Sequence, residues 1–263
     1  MSLNSNALNS VGRIQDIHSG QYLAFGNDPK IQLYRKFGRI DAIQQAVPAD
    51  VWEFGKTVGA EKYTFSTTDA INNISSSNTG DAMTILIGGL ALDGTEVNQA
   101  VALNGQSKVP IPIPLWRVNR AYNNSGVNLL GDVYIYEDTP LSGGIPVDVT
   151  KVRGYIAKEA QQTLQGIYTV PKGKNALLMQ LKTSLGGRKN GFASFESFFR
   201  TLGGVFLVKD THELATSGTS AIESSFTDGS IFPELTDFIP RVTVDTDGLG
   251  FSISFRLRLV DNV

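Results

Sequence analysis

Phe251-Ser-Ile-Ser-Phe-Arg-Leu-Arg-Leu259 decides the fold class. Phe251, Ile253, Phe255, Leu257 and Leu259 alternate with Ser252, Ser254, Arg256 and Arg258. A period of two places successive side chains on opposite faces of a strand, so one face is buried and the other is wet. Asp247-Gly248 just upstream is the dipeptide that tight turns select, and it predicts a hairpin leading into this strand. Asp245-Thr-Asp-Gly248 also has a superficial calcium-loop look. Strand residues follow directly, however, where a calcium loop would need further oxygen ligands and a distal glutamate.

The same signature recurs upstream at short spacing. Met83–Ile87 and Val97–Leu103 read as strands separated by Asp93-Gly94, and Asn104-Gly105 is a second turn. Val109-Pro-Ile-Pro-Ile-Pro-Leu115 lacks ladder donors at its prolines, so it reads as an edge strand or an extended connector. Trp116–Tyr122, Val133–Tyr136, Ile167–Val170 and Ala176–Leu181 complete the series, with Pro171-Lys-Gly173 as a turn. Lys151–Leu164 is ambiguous between helix and strand, and strand is the reading adopted. Many short strands with glycine-rich turns and no strand–helix alternation predict an all-β chain: an antiparallel sandwich or jelly-roll-like domain.

Residues 1–47 differ from the rest. Five basic residues (Arg13, Lys30, Arg35, Lys36, Arg39) face three acidic ones (Asp16, Asp28, Asp41), and no period is sustained long enough to form a core. They read as an extended N-terminal arm that docks on its own domain or on a neighbour, ahead of a β domain over 48–263. Deleting the arm is therefore expected to leave the β domain folded.

The composition narrows function. The 263 residues carry 23 basic and 25 acidic side chains, a net −2, which gives no general attraction to nucleic acid or to an anionic membrane. Cysteine is absent, so disulfides, thiolate metal sites and cysteine nucleophiles are excluded. Two histidines cannot supply a three-histidine zinc site. The first ten residues lack the basic and apolar regions of a signal peptide, and no run is long enough for a membrane-spanning helix. No cofactor is expected.

The chemistry-bearing candidates have ordinary readings beside them. Asp210-Thr-His-Glu213 is read as a solvated loop around His212, and His18 sits in the arm. Glu137-Asp138 cannot be a glycosidase dyad, because neighbours on a strand point to opposite faces. Trp52 and Trp116 could be sugar-stacking platforms, although buried packing is the commoner fate. Phe192, Phe195, Phe198 and Phe199 lie beside Arg188, Lys189 and Arg200. That run could stack on single-stranded nucleic acid, anchor a partner subunit or fill a core.

Tyr34-Arg-Lys-Phe-Gly-Arg39, Asp50-Val-Trp-Glu53, Leu103-Asn-Gly105, Trp116-Arg-Val-Asn-Arg-Ala121, Gly131–Ile135, Ile167–Gly173 and Pro233–Asp237 together resemble, in order and spacing, a family of tailed-bacteriophage virion structural proteins. Two places depart from that pattern: Leu235, where a basic residue is expected, and the proline run at 110–114. The resemblance implies a non-enzymatic particle component, made in the host cytoplasm and located in the virion. The expectation is a capsid cement or decoration protein that bridges major capsid protein subunits or other virion proteins and self-associates as a trimer, without nucleic acid or membrane. A neck, collar or tail-fibre attachment protein is the alternative, with a carbohydrate-binding module behind it. Candidate partner contacts are Tyr34, Arg35, Lys36, Phe37, Arg39, Phe195 and Phe198.

Overall fold

The computed structural model describes residues 31–218 and 220–262. Strands are numbered in chain order. Every ladder between named strands is antiparallel, and two 3-10 turns, Glu53–Lys56 and Val149–Lys151, are the only helical pieces among the described residues. The chain is all-β, as the alternation predicts.

The strands make two sandwiches. In the first, one sheet runs in the order β1 (Ile31–Ile43), β18 (Leu249–Asp261), β13 (Lys174–Gly186), β16 (Ala221–Phe232). The facing sheet runs β12 (Tyr168–Thr169), β17 (Asp237–Val244), β14 (Phe192–Arg200), β15 (Leu207–Ala215), with β2 (Ala49–Asp50) also on β17. Strand β18 sits inside its sheet, and its alternating apolar face meets Phe195, Phe199, Phe232 and Phe238. The second sandwich is inserted between β2 and β12. Its sheets are β11 (Val152–Ile156), β8 (Val133–Glu137), β3 (Ile71–Ser76), β6 (Val109–Leu115), and β5 (Glu96–Ala102), β4 (Thr84–Leu90), β7 (Arg117–Asn123). A short hairpin, β9 (Leu141–Ser142) with β10 (Ile145–Pro146), follows β8. The region 48–262 thus holds two cores.

The proline strand β6 lies at a sheet edge, as its missing donors require. The Gln99 side chain compensates there, accepting from the Ile113 N–H at 2.9 Å and donating to the Ile113 carbonyl at 2.8 Å. Gly94, Gly105 and Gly173 take the positive φ that the turn readings call for. Leu235 also adopts a positive φ, 61°, and its side chain fills the space a Cβ on Gly94 would need.

Several expectations are corrected. Asp247-Gly248 is a turn, but it joins β17 of one sheet to β18 of the other, so it is not a hairpin. His212 lies within β15 rather than in a loop. Its Nδ1 is 3.1 Å from Thr183 Oγ1, its ring is 5.5 Å from that of Phe195, and burial holds its pKa below the usual value. His18 lies outside the described residues. Of the expected arm, residues 31–43 form β1, which pairs with β18 along its length and buries Ile40 and Ile43 in the first core. Removing residues 1–47 would therefore take out an edge strand and two core side chains, because docking of this stretch is part of the fold.

An aromatic seam joins the sandwiches: Trp52, Phe54 and Tyr63 pack with Tyr134, Tyr136 and Tyr155. Beside it, buried Asp237 receives Arg117 from the inserted sandwich at 3.0 Å and Arg200 from the first at 2.6 Å. The chain leaves and re-enters the first sandwich at one place. Trp52 bridges Gln165, and the Gly166 N–H donates to the Val51 carbonyl at 2.8 Å.

Candidate functional site

Strand β1 sorts the sequence-predicted contacts by face. Tyr34, Lys36, Gly38 and Ile40 point inward, while Arg35, Phe37 and Arg39 point out and are exposed. Gly38 is required there, since a Cβ would lie 2.3 Å from Gly166 N at the crossing of the two chain segments. The Tyr34 ring meets Tyr168 at 4.7 Å. Lys36 is buried and donates to the Asn119 carbonyl of β7, spanning from one sandwich to the other. Burial, reinforced by the Arg120 charge, pushes its pKa down to about 7. Tyr34 and Lys36 are therefore internal joints, not partner contacts.

Phe195 is also removed from the contact set. It is 0% exposed and stacks on Phe251 at 5.4 Å in the first core. Phe198 points to the other face of β14, where it is half-buried against the seam beneath the Arg241 guanidinium, 4.7 Å from its ring. Trp52 and Trp116 are buried and offer no platform to a sugar, with Arg117 lying 3.6 Å above the Trp116 ring. Glu137 binds Arg153 and Asp138 binds Lys108, so these neighbours serve separate ion pairs.

Phe37 and Arg39, by contrast, are brought together with the loop that carries Arg188 and Lys189. The four side chains border an open depression of about 740 Å³, floored by backbone at Gly186, Gly187, Gly248 and Gly250. Asp41 pairs with Arg39 at its rim. Phe37, 43% exposed, is the apolar centre of a cationic patch.

The other end of β1 borders a second feature, which sequence reasoning missed. A groove of about 660 Å³ runs between Tyr34 and Arg35 of β1, Glu96 and Asn98 of β5, and Arg120 and Tyr122 of β7. Its far wall is made by the glycine pair Gly88-Gly89 in β4, where the register with β7 shifts. Only the Asn-Arg of the Trp116–Ala121 stretch hinted at this site, and nothing in the sequence shows that β7 faces β1. Among the described residues, no group of three or more His, Asp or Glu side chains is arranged to hold a metal ion.

No protein-family model matches the chain, and no curated protein matches it. Among solved structures it is similar to the VP2 subviral particle of infectious bursal disease virus, at 10% identity and a TM-score of 0.22, over 89% of this chain and 72% of that one. A Bacillus thuringiensis Cry1Da tryptic core variant aligns at 7% identity and a TM-score of 0.19, over 84% of this chain and 53% of that one. The Gt strain structure of infectious bursal disease virus gives 8% identity and a TM-score of 0.14, over 89% and 82%. The sheets themselves define the fold.

Proposed function

We propose that this chain is a non-enzymatic virion structural protein of a tailed bacteriophage, acting as a capsid cement or decoration protein. The observation that carries the reading is the outward face of β1. Phe37 sits there between Arg35 and Arg39, next to Arg188 and Lys189, on a strand whose inward residues lock it to its own core. A fixed apolar side chain ringed by cations suits an acidic partner surface with an apolar pocket: charge steers the encounter and the ring supplies buried area. The partner proposed is the major capsid protein, with this chain self-associating as a trimer. Repeated modest contacts then add up through effective concentration, and binding only the assembled shell stabilises that shell.

The test is attachment to particles of the encoding phage. Replacing Phe37 by Asp and Arg39 by Glu should strip the protein from purified particles while its melting temperature stays near that of the parent, because both side chains are exposed. Normal occupancy by the double variant would overturn the proposal. Gel densitometry of the same particles separates the position: copies in step with the major capsid protein support the shell, and a small fixed fraction supports the neck or collar instead.

A further inference from the structure

The groove between the two sandwiches has an electrostatic peculiarity. Arg120 lines it, rests 5.1 Å from the Tyr122 ring, and has no carboxylate partner among the described residues. Arg35 lines it too, and stands directly across the β1–β18 ladder from Arg256. Like charges placed opposite each other destabilise a strand pair, and among the described residues neither arginine forms an ion pair. Arg35 and Arg120 also border an adjoining pocket of about 300 Å³, lined further by Lys36, Phe37, Gln162, Thr163 and Ser254. Two cations thus stand where two pockets meet, with Glu96 the one carboxylate in either lining.

The remaining lining indicates what kind of anion fits. The Gln99 amide is committed to Ile113, and the Asn119 amide to the backbone of Thr169. These two are walls. Asn98 and Glu96 are exposed and present planar hydrogen-bonding groups, while half-buried Tyr122 adds a phenol ring and its hydroxyl to the wall. Arginines for a carboxylate, amide and carboxylate oxygens for hydroxyls, and an aromatic wall for an apolar ring face are the groups a charged sugar needs. A volume near 660 Å³ lies within the range of small-molecule sites, which favour interfaces between domains.

We infer that the groove formed by Arg35, Glu96, Asn98, Arg120 and Tyr122 binds a carboxylated saccharide, a uronate- or sialate-type sugar, with the carboxylate on the two arginines. This is a second activity beside the capsid contact proposed above: the two surfaces adjoin at Arg35 and Phe37, while Glu96, Asn98, Arg120 and Tyr122 are no part of the capsid contact.

Titration calorimetry of the full chain against N-acetylneuraminic acid, a glucuronate-containing disaccharide, a neutral disaccharide and inorganic phosphate tests it. At least one carboxylated sugar should bind about tenfold or more tighter than the neutral one, as expected when one charge-assisted contact is lost. Arg120→Ala should lose that margin with an unchanged melting temperature, since Arg120 is exposed. Arg35→Gln should lose part of it, and affinity should fall with salt. Binding no better than the neutral sugar, phosphate binding as tightly as the sugar acid, or undiminished binding by Arg120→Ala would each overturn the inference. Arg120 is no part of the capsid contact, so Arg120→Ala should leave particle occupancy unchanged, and occupancy reads the capsid proposal separately.

Discussion

The two sandwiches solve the same problem with different materials. The first closes around Phe195, Phe199, Phe232, Phe238, Phe251 and Phe255, on strands up to 13 residues long. The inserted one closes around Ile, Val, Leu and Ala, with no aromatic side chain in its buried cluster, on strands of five to seven residues. Aromatics cluster again at the seam between them. Sheets pack about 10 Å apart in either case, so both sets of side chains fill the same kind of space: flat rings in the first, branched aliphatics in the second. The core chemistry thus marks two structural units, and the seam decides whether they behave as one.

The seam is the place to break that comparison hardest. Asp237→Ala removes the shared acceptor of Arg117 and Arg200 and leaves Arg117 buried without a counter-charge. The expected cost is about 3–5 kcal/mol. Parent protein should melt in one transition by calorimetry, and the variant in two. A parent that already melts in two would show that the seam does not couple the units.

Phe195→Ala comes next. It opens a cavity against Phe251 and should cost roughly 3–4 kcal/mol in urea unfolding, with the loss assigned to the first sandwich. A smaller and pH-dependent effect belongs to Lys36. Its folded pKa of about 7 lies below the ordinary 10.5, so the folded state releases this proton first as pH rises. Below pH 7 the burial penalty is present in full. Between the two values the unfolded chain holds more protons, so stability climbs with pH. Lys36→Met should therefore raise stability near pH 6, by about 2 kcal/mol once the loss of the Asn119 contact is allowed for. The gain should shrink towards pH 10, and a gain independent of pH would refute the assignment. Smallest of all, Ile87→Val in the aliphatic core should cost about 1 kcal/mol, since one methylene is lost from a site that is 1% exposed.

Legibility in the sequence followed periodicity. Strand β18 could be read because its apolar positions from Leu249 to Leu259 fall on one face, and β6 because three prolines leave it nowhere but an edge. The division into two sandwiches could not, since period two looks the same whichever core it serves. At β1 the pattern misleads: the polar Lys36 faces in and the apolar Phe37 faces out, an inversion set by the neighbouring sandwich rather than by the strand. Phe195 and Phe198 look alike in sequence, yet their odd spacing sends one to the core and the other to the seam. The groove was hidden for the same reason, because its walls come from segments more than fifty residues apart. Of Tyr34-Arg-Lys-Phe-Gly-Arg39, the outward members Arg35, Phe37 and Arg39 remain the contact candidates.

The narrow crossing at Val51, Trp52, Gln165 and Gly166 has a consequence for how such a molecule changes over time. Because the inserted sandwich departs and returns through adjacent backbone, everything beyond the crossing can be exchanged without threading a new path through the first core. Gly38 and Gly166, pressed together without room for a Cβ, form the fixed socket of that exchange. A β18-containing base that keeps its socket could carry a different head, and each new head would remake the groove against the same β1 wall.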